Sequence, residues 1–214
     1  MNQAEIAEIV EKQRSFFRSG ATLDVRYRIK ALKKLLKWLD ANEEAVALAL
    51  EADLGKSRLE SYMCEIGMVR SEISYMLRHI RKFAKERTVT TPLAQFPSRS
   101  YRKPMPYGVS LIMSPWNYPY MLSVEPLVDA IAAGNTVVLK PSAYSPATGA
   151  LLGQMIGQLF PAEYVAVIQG GREENGFLLD QKFDLVFFTG SQAVGKEVLR
   201  RCAEHLTPAV LELG

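Results

Sequence analysis

The second half of this sequence alternates short apolar runs with helical stretches, and this alternation restricts the fold more than any other feature. Helical periodicity at residues 123–133, 146–160, 173–179 and 192–204 separates the apolar runs. Strands and helices alternating at this spacing form βαβ units, and continuously apolar strands are buried on both faces. The pattern predicts an α/β fold with a mainly parallel, five-stranded Rossmann-type sheet and helices on both faces. The predicted strands are Val109 to Met113, Thr136 to Leu139, Tyr164 to Ile168, Leu185 to Phe188 and Ala209 to Leu213.

The first 106 residues have a different pattern. Gly20 and Gly55 stand where helix C-caps are expected. Residues 88–106 are rich in Thr, Ser and Pro, which predicts edge strands or a hairpin arm because proline is excluded from central strands. We therefore expect an N-terminal helical region (1–87), an arm that serves oligomerisation (88–106) and a sheet domain (107–214). The helices of the first region are predicted at residues 2–19, 24–39, 42–53 and 58–86.

Composition argues against several classes of protein. A net charge of +3 on 214 residues is too small to indicate nucleic-acid binding. The acidic N-terminus does not resemble a signal peptide, and no apolar run approaches the ~20 residues of a membrane span. Cys64 and Cys202 have no metal-ligand spacing, so we expect reduced thiols, no metal site and a cytoplasmic location. Gly55–Lys56–Ser57 matches only the end of a P-loop, because position 50 is leucine rather than glycine.

Polar residues follow the first two predicted strands of the sheet. Ligands of open α/β sheets bind outside the carboxyl ends of the strands, so these residues are candidates for a site. Asn117 lies in a loop held by Pro115 and Pro119, where its amide could donate to an oxyanion or satisfy turn backbone. Lys140 could donate to ribose hydroxyls or phosphate, or extend from the sheet edge into water.

The fourth and fifth predicted strands end in two further candidate segments. Gly190 and Ser191 precede a helix whose N-terminus can bind phosphate, and Gly195 follows one turn later. The Gly-x-x-x-x-Gly spacing is not the dinucleotide fingerprint, and a tight turn without a ligand explains it equally well. Glu212 lies between two leucines at the end of a strand that we predict to be buried, where a carboxylate can become a general base.

Taken in order, these segments resemble the motifs of the NAD(P)-dependent aldehyde dehydrogenase superfamily. The resemblance covers essentially all 214 residues and corresponds to the N-terminal half of a family member. Asp53 to Lys56 (DLGK) and His205 to Gly214 resemble the class 3 branch in particular. The motifs are PWNYP from Pro115, AAGNTVVLKPS from Ala132, FTGS from Phe188 and LELG from Leu211.

The resemblance implies a role for each candidate. Asn117 would donate its amide to the oxyanion of a thiohemiacetal, and Glu212 would activate the water that hydrolyses a thioester. An aldehyde would thereby be oxidised to a carboxylic acid by nucleophilic catalysis in two steps. Residues 107–214 would be a dinucleotide-binding domain for NAD or NADP, against which the helical region packs. The implied cofactor-binding residues are Trp116, Lys140, Ser142, Gly190, Ser191 and Gly195.

The family's catalytic cysteine is expected a few tens of residues after Glu212, and neither Cys64 nor Cys202 matches it. We therefore expect the chain to be truncated before the catalytic domain and inactive by itself. The alternative is a naturally complete, non-catalytic module that binds a dinucleotide or a partner. A CoA-acylating or phosphate-releasing reductase is a third possibility, against which Glu212 argues because such enzymes need no hydrolytic deacylation.

The resemblance also carries expectations about specificity and assembly. Ala143 stands where class 3 members that favour NAD often have a glutamate, so we expect NADP to be tolerated. The expected substrates are medium-chain aliphatic or aromatic aldehydes. We expect a homodimer formed through the arm, with neither nucleic acid nor membrane as a partner.

Overall fold

A computed structural model describes residues 1–214 and has the predicted α/β fold. Two short antiparallel strands form a separate ribbon, and five longer strands form a parallel sheet. The strands are β1 (Arg87–Val89), β2 (Ser100–Arg102), β3 (Val109–Met113), β4 (Thr136–Lys140), β5 (Val165–Val167), β6 (Leu185–Gly190) and β7 (Ala209–Leu213). The helices are α1 (Gln3–Arg18), α2 (Val25–Leu54), α3 (Arg58–Ser61), α4 (Gly67–Phe83), α5 (Met121–Ala133), α6 (Pro146–Leu159), α7 (Arg172–Leu179) and α8 (Gln192–His205).

The parallel sheet has the strand order β5-β4-β3-β6-β7. From β3 the chain first moves outward through β4 to β5, and then returns to the other side of β3 to form β6 and β7. Because βαβ crossovers are right-handed, reversing the direction places the connecting helices on opposite faces. The direction reverses between β3 and β6, so the carboxyl ends of these two strands border the crevice where such sheets bind ligands.

Two apolar cores lie on the two faces of the sheet. Successive side chains of a strand point to opposite faces, so Ile112 joins the core beneath α2, α4, α5 and α6. Its neighbour Leu111 joins the core beneath α1, α7 and α8. Every residue of β3 and β4 is buried, as the continuous apolar runs predict.

The N-terminal helices differ from the prediction at one place. Residues 24–39 and 42–53 were predicted as separate helices, and α2 indeed consists of two helical segments that meet at Asn42, where the backbone leaves the helical conformation (φ −126°, ψ 19°). The Asn42 amide donates to the carbonyl of Trp38 at 2.8 Å, which satisfies the helix backbone at the kink. The predicted helix 58–86 is interrupted by a π-helical segment at Tyr62–Ile66. None of the helices, α2 included, is long and apolar enough to cross a membrane.

The prediction that the last strand is buried is wrong. β7 pairs on one side with β6 and has no strand on its other side. Val210 is 42 % exposed and Leu213 is 44 % exposed, and Glu212 between them is also exposed. The α5-side face of β6 and β7 is therefore covered less completely than that of β3 and β4.

Residues 88–106 contain the ribbon of β1 and β2. The two strands are antiparallel, with Thr88 opposite Tyr101. Leu93 and Phe96, in the connection between the strands, are 88 % and 81 % exposed. An extended ribbon with exposed apolar side chains suits a contact surface, and its use in oligomerisation stays a prediction.

Candidate functional site

A cleft of about 730 Å³ opens at the carboxyl ends of β3, β6 and β7. One wall is the loop that follows β3, and the other walls are the ends of β6 and β7. The cleft lies at the point where the chain direction reverses, which is the expected place for a ligand. It brings together five residues that the sequence suggested for a site: Trp116, Asn117, Gly190, Ser191 and Glu212.

A second pocket of about 360 Å³ adjoins the end of β4. Lys140, Ser142 and Ala143 line it, together with Arg172 at the start of α7. The Arg172 guanidinium is an additional positive group that the sequence analysis did not identify. Among the predicted site residues, only Gly195 lies in neither pocket.

Gly195 is explained by the packing of α8 against β7. A Cβ atom at this position would lie 2.7 Å from Leu213 Cδ2, closer than real Cβ contacts. The missing side chain therefore lets the first turn of α8 approach the last strand. The role seen for Gly195 is therefore close packing of a helix on a strand.

Lys140 is buried at the end of β4, with only 3 % of its surface exposed. Its ammonium donates to the carbonyls of Pro141 at 2.8 Å and Gly170 at 2.7 Å. A lysine has three donors, so one remains for a ligand in the pocket. Burial disfavours the charged form and lowers the pKa of Lys140 to about 8, although the charge of Glu174 opposes this change. The alternative that Lys140 extends from the sheet edge into water is therefore wrong.

The N-terminus of α8 faces the cleft at the end of β6. Ser191 is the N-cap, and its hydroxyl accepts from the backbone N–H of Val194 at 3.4 Å. The first N–H groups of a helix lack partners within it and are suited to bind an anion. Thr189, which also lines the cleft, has a buried hydroxyl without a hydrogen-bond partner. Buried polar atoms are normally paired, so this hydroxyl is an exception beside the cleft.

The Asn117 loop is anchored beneath its exposed side chain. Asn117 has an exposed amide that forms no hydrogen bond within the chain, while its carbonyl accepts from Lys56 Nζ at 2.9 Å. Ser123 donates to the carbonyl of Pro119 at 2.6 Å and also contacts Ser114 at 2.6 Å. The backbone of the loop is thus restrained while the amide remains free to bind a ligand.

Two residues that support this loop were missed in the sequence. Lys56 was considered only as the end of a P-loop and as part of the DLGK segment, and neither Lys56 nor Glu65 was proposed as a site residue. Both are buried, and Lys56 Nζ lies 2.5 Å from Glu65 Oε1. A signal was present, because Glu65 shares a buried helix face with Val69 and Ile73, where an unpaired carboxylate would be costly.

Glu212 lies on the cleft side of β7, directly opposite Thr189 of β6. It shares the cleft with Asn117, so one carboxylate and one amide can face the same bound molecule. The two cysteines lie elsewhere. Cys202 is buried in the core beneath α8, and this burial raises the pKa of its thiol. Neither Cys202 nor Cys64 lines the cleft.

An open, doubly wound parallel sheet with a polar cleft at its switch point defines an α/β protein that binds its ligand at the carboxyl edge. The model of the aldehyde dehydrogenase family matches residues 1–214, and the chain belongs to this family.

Several known proteins are similar to the chain over nearly all of its length. The 4,4'-diaponeurosporen-aldehyde dehydrogenase of Staphylococcus aureus is 43 % identical over 201 residues, which are 94 % of this chain and 44 % of that protein. Aldehyde dehydrogenase family 3 member H1 of Arabidopsis thaliana is 40 % identical over 211 residues, 99 % of this chain and 44 % of that protein. Family 3 relatives of this kind confirm the class 3 resemblance.

Solved structures confirm the fold. A substrate-bound state of Staphylococcus aureus AldH superposes with a TM-score of 0.96 at 42 % identity, covering 100 % of this chain and 46 % of that one. An aldehyde dehydrogenase of Mycobacterium tuberculosis complexed with NAD+ has a TM-score of 0.88 at 29 % identity. The match covers 99 % of this chain and 44 % of that one. The chain thus spans less than half the length of the relatives described here.

Proposed function

We propose that the chain is the cofactor-binding half of an NAD(P)-dependent aldehyde dehydrogenase that oxidises an aldehyde to its acid through a thioester. The main support is the cleft that places the Asn117 amide, the Glu212 carboxylate and the N-terminus of α8 around one space. Family membership and the similarity to an enzyme complexed with NAD+ support the same function. The thiolate nucleophile would come from a part of the enzyme outside these 214 residues.

The residues of the two pockets fit a nicotinamide dinucleotide. Lys140 has one free donor and Ser142 lies beside it, so this pocket suits a ribose with two hydroxyls. Gly190 and Ser191 begin α8, whose N-terminus suits the pyrophosphate. Trp116 lines the larger cleft beside them. When bound, the nicotinamide supplies the hydride acceptor of the oxidation.

Within the reaction, Asn117 and Glu212 have separate tasks. The Asn117 amide would donate to the oxygen that becomes negatively charged when a thiolate adds to the aldehyde carbonyl. Glu212 would take a proton from the water that attacks the thioester, acting as general base. Its exposure on β7 makes the carboxylate accessible to that water molecule.

Cofactor binding can be tested on this chain through its own fluorescence. Trp38 and Trp116 are the two tryptophans. Trp38 does not line the cleft, and its indole N–H donates to Gln158 Oε1 at 2.9 Å. In a Trp38→Phe variant, we expect NAD+ to change the emission of Trp116 in a saturable manner. Lys140→Met in the same background is expected to weaken binding by about 10- to 150-fold, because a hydrogen bond from a charged donor contributes about 1.5–3 kcal/mol. An emission that does not respond to NAD+ or NADP+ would overturn the proposed cofactor role.

Turnover requires a chain that also supplies the nucleophile. We define the completed chain as this sequence continued in frame by the remainder of the Staphylococcus aureus relative beyond the matching region. The 214-residue chain is expected to bind cofactor without oxidising aldehydes, and the completed chain is expected to reduce NAD+ when an aldehyde is added. A completed chain that binds NAD+ but produces neither acid nor NADH would favour a non-catalytic nucleotide-binding module. A requirement for CoA or phosphate would indicate a reductase instead.

Both cofactors are expected to bind. Ala143 places no carboxylate in the pocket beside Lys140, so none of the side chains that line it repels a 2′-phosphate. Arg172 adds a guanidinium, which favours an anion. We expect the dissociation constants of NAD+ and NADP+ to lie within a hundredfold of each other in the fluorescence titration. Ala143→Glu is expected to weaken NADP+ selectively, and rejection of NADP+ by the unmodified chain would contradict the proposal.

Binding of NADP+ is expected to weaken as the pH rises through 8. Burial lowers the pKa of Lys140 to about 8, so the ammonium is present below that pH and is lost above it. If the charged form is required, affinity falls by up to about tenfold per pH unit above the pKa. Titrations at pH 7, 8 and 9 test this, and the weaker binding of Lys140→Met is expected to show no such dependence. If the affinity of the unmodified chain for NADP+ is constant from pH 7 to 9, binding does not depend on the charge of Lys140.

Two further expectations stay predictions of the proposed enzyme. Medium-chain aliphatic or aromatic aldehydes are proposed as substrates, and a comparison of kcat/KM across aldehydes in the completed chain tests them. A homodimer formed through the β1–β2 ribbon is proposed for the same chain, and sedimentation of a Phe96→Ser variant tests that contact. The cytoplasmic location also stays a prediction.

A further inference from the structure

We propose that Lys56 and Glu65 form a buried clamp that positions the Asn117 loop, so that the pair acts on catalysis through the Asn117 amide. The inference rests on the proposed function, because it assigns a purpose to that amide. Lys56 and Glu65 belong to the N-terminal helical region, whereas the loop belongs to the sheet domain. The clamp therefore joins two parts of the chain that are separated by about 60 residues.

Glu65 holds the far end of the loop, where α5 begins. Its Oε2 atom accepts from the backbone N–H groups of Tyr120 at 2.8 Å and Met121 at 3.0 Å. The start of α5 has no side-chain cap from its own N-cap residue. Glu65 thus provides the cap from another helix, and its negative charge suits the positive end of the helix dipole.

Lys56 holds the near end of the loop. Its ammonium donates to Glu65 Oε1 at 2.5 Å and to the carbonyl of Asn117 at 2.9 Å. The same ammonium lies 4.1 Å from the centre of the Tyr118 ring, within the range of a cation–π contact. Two contacts of the Lys56 ammonium are therefore made to Asn117, which carries the free amide, and to its neighbour Tyr118.

The local backbone conformation brings the side chains of Lys56 and Glu65 towards the loop. Gly55 ends α2 in the left-handed conformation (φ +67°), and Lys56 follows directly. Glu65 lies in the π-helical segment Tyr62–Ile66, and such segments occur frequently at functional sites. Asp53, just before, accepts from the N–H groups of Ala147 and Thr148 at 2.9 and 2.7 Å and caps α6. The DLGK segment thus anchors the loop after β3 and the helix after β4 together.

Because the pair is buried, each of its two charges depends on the other for compensation. The side chains of Lys56 and Glu65 are 8 % and 0 % exposed, so neither charge can be compensated by water. Removing one partner leaves an uncompensated buried charge, which favours displacement of the groups around it. A displacement of about 1 Å at a reacting group can lower a rate by about a hundredfold. The position of the Asn117 amide is therefore sensitive to both residues.

Hydrogen exchange tests whether the pair holds the loop. In Lys56→Met and Glu65→Gln variants of this chain, we expect the amides of Tyr120 and Met121 to exchange at least about tenfold faster, while those of strand β4 are unchanged. Lys33→Met makes the same substitution at an exposed position of α2. It is expected to leave the exchange rates of both sets of amides unchanged. A uniform increase at all amides would mean that the pair supports overall stability only and would overturn the proposal.

A double-mutant cycle in the completed chain tests whether the pair acts through Asn117. Lys56→Met is expected to lower kcat by about a hundredfold with little change in the KM for NAD+. In an Asn117→Ala background the same change is expected to lower kcat by less than about threefold, because the amide is already gone. Equal effects in the two backgrounds would contradict positioning through Asn117.

The exchange experiment and the double-mutant cycle together distinguish failure of the clamp from failure of the proposed function. If Asn117→Ala leaves kcat unchanged, the oxyanion role fails, and the exchange experiment still reports on the clamp. Should Lys56→Met not fold, Lys56→Arg keeps the charge and the donors while altering their position. It is expected to give a folded enzyme with a reduced kcat and an unchanged KM for NAD+, and full activity in this variant would contradict the proposal.

Discussion

Replacing Asn117 with alanine in the completed chain is expected to lower kcat by about 10²- to 10³-fold, which corresponds to about 2.7–4 kcal/mol of transition-state stabilisation. The amide is exposed to the cleft and makes no hydrogen bond within the chain, so its loss removes no internal contact. The substitution is expected to slow the chemical step, because the proposed hydrogen bond from Asn117 strengthens as negative charge develops on the aldehyde oxygen. Steady-state kinetics with a saturating aldehyde measure this effect.

Two controls accompany the Asn117 variant. Asn2→Ala removes an exposed asparagine that caps α1 and is expected to lower stability by about 1 kcal/mol without changing kcat. Asn117→Asp keeps the size of the side chain but places a carboxylate beside the developing negative charge, and it is expected to be at least as inactive as alanine. A kcat within threefold of the unmodified completed chain in Asn117→Ala would show that the oxyanion is stabilised by other donors.

Gly134→Ala is expected to lower the free energy of unfolding of this chain by about 3 kcal/mol. Gly134 follows α5 with φ of +100°, and a left-handed conformation costs a side-chain-bearing residue about 1–2 kcal/mol. The added Cβ would also lie 2.6 Å from Arg28 Cζ. The buried Arg28 guanidinium donates to the carbonyls of Thr22, Leu23 and Ala132, and displacing it would leave buried groups unpaired at about 1–3 kcal/mol.

Gly157→Ala is the matched control, since it makes the same substitution where nothing lies within 4 Å of the new atom. Gly157 is inside α6, where alanine is favoured over glycine by about 0.5–1 kcal/mol, so this variant is expected to be more stable. Urea unfolding of both variants, followed by circular dichroism, gives the two free energies. Similar changes in the two variants would contradict the role assigned to Arg28 and Gly134.

The parallel sheet could be predicted because its strands carry their own signal. Residues 109–113 and 136–139 were predicted as strands, and both are completely buried in β3 and β4. A continuous apolar run is stable only between two layers of helices, and the helical periodicity between the runs supplies those layers. The carboxyl ends of neighbouring strands meet at one edge, so Asn117, Ser191 and Glu212 could be expected to lie together.

Other features could not be predicted because they depend on contacts between distant segments. The exposure of Glu212 follows from the place of β7 at the edge of the sheet, and the apolar residues around it are compatible with either an edge or a central strand. The buried state of Lys140 depends on the carbonyl of Gly170, 30 residues later.

By itself, the sequence determined the α/β class, the order of strands and helices along the chain, and the family to which the chain belongs. Periodicity and short motifs are local properties, and neighbouring residues are sufficient to specify them. Only the tertiary structure decided that Lys56 and Glu65 are buried together beneath the Asn117 loop. A buried charge is stable only where partners from other segments meet it, and the fold alone brings those partners into contact.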